Sequence, residues 1–419
     1  MKLLSNLPRL LATAALFSSM LSCSEDLDSS GVCPVLCPQI GGNVQNVTID
    51  AVVIDTTLQA LSGLGTEPAL LLANRGDTLD TRVILRFDTL PHTFIPKGDT
   101  AQPITSVDSA YILFKLDTLS IKGAEPVTIE AYDVDTTAND TSTAAVLALF
   151  RPDRFISSQT FARGELTDSL KYFISDSVLL SKIQNQQRLR IGLRATGIAS
   201  SQMNFYSTEG SVPPVMFFRA TPDTATGKIT ITEHSDTPDG EAIVAANLAD
   251  YTVIAKSPPA ASGSTLAVGG LPPHRVYFRF DIPSSIIDSA TVVRATLILN
   301  QVRNSALDPG DTIRLLPQVV LAGKVVTDPE KAAQIIAGIS ADTLTLHPGD
   351  SGPTNIELAR AFALWHTQQP DTLPRAIVLK SVNEGTSPLE LRFSSSEDVA
   401  ALRPKLRISY TSRVPLGLP

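Results

Sequence analysis

Residues 82–88, RVILRFD, alternate strictly: Val83, Leu85 and Phe87 fall on one side, Arg82, Ile84, Arg86 and Asp88 on the other. A period of two places successive side chains on opposite faces of a strand, so the heptad predicts a strand with its apolar face on a core. Residues 275–281, RVYFRFD, repeat the pattern 193 positions later (275 − 82), with Val276, Phe278 and Phe280 inward. Further runs rich in β-branched and aromatic residues, at 109–119, 127–135, 188–195 and 405–410, read as strands too. Asp, Thr, Gly, Ser and Pro fill the stretches between them. Two segments instead step in threes and fours, 329–339 and 356–369, and predict short helices. Trp365 lies in the second of these and is expected to anchor a core. Many short strands without regularly alternating helices predict an all-β chain of β-sandwich or jelly-roll type.

The two heptads belong to a longer repeat. NFYSTEG at 204–210 is echoed by RFSSSED at 392–398, VPPVMFFRA at 212–220 by LRPKLRISY at 402–410, and DSAYILFKLDT at 108–118 by VRATLILNQVR at 293–303. The blocks keep one order at similar separations, as loop insertions into a duplicated domain would leave them. The expected organisation is a first copy over 48–222, a second over 223–412 and a tail over 413–419. Each copy is expected to fold alone.

The N-terminus adds a compartment. Lys2 and Arg9 precede an apolar run of signal-peptide length, too short to span a bilayer, which ends at MLSC. That ending resembles a bacterial lipobox. It implies cleavage of residues 1–22 and lipid on Cys23, with 23–47 as a tether. The acidic stretch SEDLD that follows resembles a surface-export signal. The protein is therefore expected to be exported and held by lipid at the outer membrane, on the cell surface if that signal acts. Of the three cysteines, Cys33 and Cys37 remain, and in an exported chain they are expected to form a small disulfide loop. A net charge of −8 disfavours nucleic acid as a partner.

The assembled blocks are similar to the DNRLRE domain, a jelly-roll module grouped with carbohydrate-binding modules. The second copy carries the resemblance in Arg279, Phe280 and Asp281; Ala295, Leu297 and Leu299; Trp365; Phe393, Ser395 and Glu397; and Arg403, Pro404, Leu406 and Tyr410. The first copy keeps Arg86, Phe87, Asp88, Ala110, Phe205, Ser207, Glu209 and Pro214. It lacks the Trp and has Val212-Pro213-Pro214 in place of Leu402-Arg403-Pro404. The resemblance implies a non-catalytic binding or structural module. Members known to bind glycans recognise polyuronates such as alginate.

Arg86 and Arg279 recur together with Glu209 and Glu397, which points to internal ion pairs, Arg86–Glu209 and Arg279–Glu397, across each sandwich. On an open sheet face the same guanidinium forks would suit an acidic glycan. Arg82 and Arg275, at the entrance of the strand, are the better candidates for ligand contact. One Trp and seven Tyr leave little for a stacking site for neutral sugars. The acidic turns at 132–141, 236–241 and 347–352 could supply oxygens to Ca²⁺, although none has an EF-hand pattern and solvated turns are the simpler reading. No other metal or cofactor is expected, and no nucleophile elbow or phosphate loop marks an enzyme. The expected function is a surface glycan-binding or recognition module with a polysaccharide or a surface protein as partner. The alternative is a structural or adhesin-type protein with no glycan site. Replacing the lipid-bearing residue, Cys23→Ala, is expected to release the protein from membranes of a native-like host, and intact-mass measurement of the wild type to show the acyl increment.

Overall fold

A computed structural model describes residues 44–412, apart from 61–64, 89, 96–99, 124–125, 137–141, 198, 211, 221–228, 233–249, 260, 262, 306, 308–309, 339–342 and 368–372. Cys23, Cys33 and Cys37 lie outside the described residues. The fold is all-β. Antiparallel strands form two large curled sheets, one of 11 and one of 12 strands among the described residues, each wrapped as a sandwich around its own core.

The two sheets follow the same strand order. In the first unit the path runs Ile229–Thr232, Val215–Arg219, Asp108–Lys122, Ser201–Tyr206, Ala69–Asn74, Asp80–Phe87, Leu189–Thr196, Val127–Asp133, Phe155–Phe161. In the second it runs Gln45–Ile49, Lys405–Ser412, Ala290–Val302, Glu390–Ser394, Thr265–Gly269, His274–Phe280, Ala376–Ser381, Ile313–Val320, Ile336–Gly338. The duplication is thus a duplication of topology. The heptads behave as their alternation dictates: Val83, Leu85 and Phe87 enter the first core, and Val276, Phe278 and Phe280 the second. Trp365 is buried against Phe280 and Phe362.

The sheets cut across the boundary expected at 222/223. The strands Gln45–Ile49 and Val52–Gln59, which open the first sequence copy, belong to the second unit: they pair with Lys405–Ser412 and His274–Phe280. Their counterparts Ile229–Thr232 and Asp250–Lys256, which open the second copy, pair with Val215–Arg219 and Asp80–Phe87 of the first. The first unit is therefore continuous, ending at Lys256, whereas the second is closed by strands from the far end of the chain. Copies cut at 48–222 and 223–412 each carry the other's closing strands.

Two local expectations also need correction. The segment 329–339 is helical only over Pro329–Ala332, capped by the Asp328 carboxylate accepting from the Glu330 amide. Ile336–Gly338 then pairs as an edge strand with Gln318–Val320. The polar face of each heptad strand is not open either. Ile84 is packed under Val146, Tyr251 and Phe150, and Tyr277 under Ala322, Ala332 and Ala333, so both strands are buried on both faces.

The closure fixes what a fragment can do. Residues 61–256 retain a complete sheet and are expected to unfold cooperatively. Residues 229–412, cut from the chain, lack the strands that pair with one edge of His274–Phe280 and of Lys405–Ser412 and are expected to give no cooperative transition by circular dichroism. A fusion of 44–60 to 257–412 is expected to restore it. Cooperative unfolding of 229–412 alone would show that the closing strands are dispensable.

Candidate functional site

The recurring motifs converge on the closing strands. Leu85 lies opposite Asp250, and Phe278 opposite Asp55. The two aspartates, 195 positions apart (250 − 55), do the same work. The Thr208 amide and hydroxyl donate to Asp250 Oδ2 at 2.8 and 3.3 Å, and the Ser396 amide and hydroxyl donate to the two oxygens of Asp55 at 2.6 and 2.5 Å. Two residues on, Thr252 Oγ1 accepts from the Leu71 amide and Thr57 Oγ1 from the Ala267 amide, each at 3.0 Å. The F-x-S-x-E blocks of the sequence repeat are thus the receiving ends of a clasp. The Asp-x-Thr of each closing strand is the other half, and sequence reasoning passed over it. Its signal was available, as Asp55-Thr56-Thr57 against Asp250-Tyr251-Thr252.

This arrangement explains why the expected ion pairs do not form. Residues directly opposite across a ladder share a face, so Asp250 shares Leu85's inner face, and Glu209 sits beside Asp250. Arg86, one position along, points the other way. Its Nε donates to Asp88 Oδ1 at 2.6 Å. Arg279 and Glu397 are divided in the same way by the sheet. Among the described residues no ion pair joins Arg86 to Glu209 or Arg279 to Glu397.

Arg82 and Arg275 are also engaged internally. Arg275 makes a two-toothed pair with Glu384, Nε to Oε1 at 2.7 Å and Nη2 to Oε2 at 2.6 Å. Arg82 bonds Asp80 at 3.2 Å, and its guanidinium lies 4.6 Å from the centre of the Phe150 ring. Both lie under the segments that cover the outer faces, so neither is the solvent-facing guanidinium expected at the strand entrance. In the turn at 132–141, Asp133 and Asp135 are committed to Lys182 and Arg188.

A partly exposed arrangement of another kind lies on the outer face of the first unit, with Phe173 at its surface, Phe217 half-buried and Tyr111 buried at 8% exposure. Ser169–Phe173 and Val215–Arg219 flank Asp108–Lys122, and register aligns Phe173, Tyr111 and Phe217 in one row across three strands. Tyr111 and Phe217 stack at 5.2 Å between centroids, and Phe173 lies 5.9 Å from Tyr111. Phe173 is 47% exposed. The Lys171 ammonium sits 4.0 Å from the Tyr111 centroid and 4.9 Å from that of Phe173. Leu113, also exposed, continues the face. The inward alternates Ile112, Phe114 and Tyr172 hold these strands to the core. In the second unit the equivalent row reads Glu357, Thr296, Arg407, with Glu357 paired to Arg294 at 2.7 Å. The aromatic row is a property of one unit, which is why repeat comparison did not find it.

The fold and these surfaces define a tandem jelly-roll β-protein whose units share a frame and differ on their faces. No family model and no curated protein matches the chain. Among solved structures, the tandem CBM22 modules of Paenibacillus barcinonensis Xyn10C are similar at 8% identity, covering 86% of this chain and 98% of that one, with a TM-score of 0.16. A VP2 subviral particle of infectious bursal disease virus is similar at 9% identity over 86% and 77%, also with a TM-score of 0.16. Scores of this size carry no inference about function.

Burial, together with the neighbouring Asp250 carboxylate, holds the Glu209 carboxyl above its ordinary value of 4.5. A raised folded-state value means that the protonated form is favoured on folding. The stabilisation linked to Glu209 is full below the ordinary value and is lost as pH rises through the raised one. Glu209→Gln is therefore expected to raise the melting temperature at pH 7, with the gain shrinking as pH falls toward about 4.5. A gain independent of pH in calorimetry would exclude this linkage.

Proposed function

We propose that the protein is a non-catalytic, exported, lipid-anchored recognition module of the DNRLRE type that binds polysaccharide on the outer face of its first unit. The observation that carries the reading is the row Phe173, Tyr111, Phe217 with Lys171 set among the rings. Aromatic surface packs against the C–H face of a sugar, and Phe173, backed by the buried Tyr111 and flanked by Lys171, offers such a platform. The ammonium supplies a counter-charge for a carboxylate, so a uronic-acid polymer is the class that uses both. With Arg82 and Arg275 engaged internally, Lys171 takes the role expected of the arginines. The lipid at Cys23 would hold this face at the membrane, with the tether 23–47 as spacer.

Mobility retardation in gels containing polyuronate tests the reading. The wild type is expected to be retarded, Phe173→Ala to lose most of the retardation, and Lys171→Ala to lose it selectively for acidic over neutral polymers. Arg275→Ala is expected to bind as the wild type does. Equal mobility of wild type and Phe173→Ala in every polysaccharide would overturn the proposal in favour of a protein partner or a purely structural role.

A further inference from the structure

The clasp has an asymmetry that separates the two units. In the second unit a cleft of about 310 Å³ opens where the closing strand Val52–Gln59 meets the Thr265–Gly269 strand and the 395–397 turn. Asp55, Thr56, Thr265, His274, Ser395 and Glu397 supply its polar lining, and Leu266 and Ala267 its apolar part. The equivalent place in the first unit has the same Asp, Ser and Glu, as Asp250, Ser207 and Glu209. There, however, the neighbouring strand entrance carries a buried carboxylate side chain. Register places Leu70 opposite Phe205 and Leu266 opposite Phe393, so Glu67 corresponds to Gly263. Glu67 is 9% exposed, and burial beside Asp250 raises its pKa. Gly263 has a left-handed backbone, φ +62°, which Glu67 does not share, and a Cβ there would meet nothing within 4 Å. His274 corresponds to Thr81, whose hydroxyl is spent on the Leu71 carbonyl. The imidazole Nδ1 of His274 faces Glu390 Oε2 at 3.6 Å, beyond hydrogen-bond reach. One unit thus carries a buried carboxylate side chain at this position of the strand, packed against Gly385, and the other has no side chain there.

We infer that this cleft is a second binding site, for a neutral sugar residue. Its lining carries two carboxylates, several hydroxyls and an imidazole, with no arginine or lysine, so an anionic ligand meets like charge. Carboxylates accept from hydroxyls in strong, charge-assisted bonds, and a neutral sugar offers several such donors. The volume is at the small end of the roughly 300–1,000 Å³ of ligand sites, which fits one ring. Asp55 is already held by Ser396, whereas Glu397 receives no hydrogen bond on its carboxylate among those described, so Glu397 is the principal acceptor. The site is separate from the aromatic row and does not depend on the polysaccharide reading.

Proton NMR of the full chain tests this through the ring resonances of its five histidines, assigned by His274→Gln. Titration with D-galactose, D-glucose, D-mannose and D-xylose is expected to move the His274 resonance saturably for at least one sugar. Glu397→Gln is expected to weaken that response about tenfold or more, and Glu397→Ala, which removes the acceptor outright, to abolish it. Phe173→Ala is expected to leave it unchanged, which separates this site from the aromatic row. Unfolding curves of each variant check that the fold is kept. No shift of His274 with any of the four sugars would overturn the inference, as would a shift that persists undiminished in both folded variants.

Discussion

The second unit depends on hydrogen bonds made to a strand that lies more than 200 residues away in sequence. Ser396 donates to Asp55 and Ala267 to Thr57, at sequence separations of 341 and 210 residues. Around those contacts Val52–Gln59 pairs along the whole length of His274–Phe280. Without it, a strand buried on both faces would present a row of unpaired backbone groups along one edge, a costly state and a template for unwanted pairing. The aspartate is well suited to the task. One carboxylate collects the amide and the hydroxyl of a single turn residue, bonds that are stronger than neutral ones because the acceptor is charged. The first unit makes the same clasp with Asp250 and Thr252, taken from strands that follow it directly.

Within this shared frame, divergence is confined to places the clasp does not use. The outer row of three aromatics in the first unit becomes Glu357, Thr296 and Arg407 in the second, while the inward residues of the same strands stay apolar. The position beside the clasp changes from Glu67 to Gly263 while the Asp, Ser and Glu around it are kept. The helical covers differ too: Thr143–Leu147 and Phe150 lie over Ile84, and Ala322, Ala332 and Ala333 over Tyr277. Duplication thus preserved the contacts that close each sandwich and left the exterior free to specialise.

Much of the fold was legible in the sequence because period-two alternation is a local signal. The inward faces of both heptads follow from it, and the helix over Ala359–Thr367 with the burial of Trp365 follows from the equally local steps of three and four. What alternation cannot carry is the identity of a strand's partner. Nothing local to VVIDTTLQ distinguishes pairing with Asp80–Phe87 from pairing with His274–Phe280, since the two heptad strands are nearly identical. Side-chain partners failed for a related reason. Arg86 and Glu209 recur together, yet which face of the sheet each occupies depends on register, and that register set Glu209 beside Asp250 instead. Arg82 and Arg275 looked exposed because the segments that cover them come from distant parts of the chain.

The closing strands also give the molecule a mechanical direction. Gln45 lies against Tyr410, so both ends of the described chain leave from the same edge of the second unit. A load between those two ends would peel Gln45–Ile49 from Lys405–Ser412 one hydrogen bond at a time. A load between the N-terminal side and the first unit runs instead along Val52–Gln59, whose last residue lies against His274, with Ala60 bonded to the Pro273 carbonyl at the exit. That strand is already extended and takes the load along its own backbone, so its ladder bonds are not placed in series with the force. Forced unfolding is governed by the rate of escape over the barrier, so the same sheet yields easily along one axis and resists along the other. The resistant axis joins the N-terminal side of the described chain to the unit that carries the aromatic row.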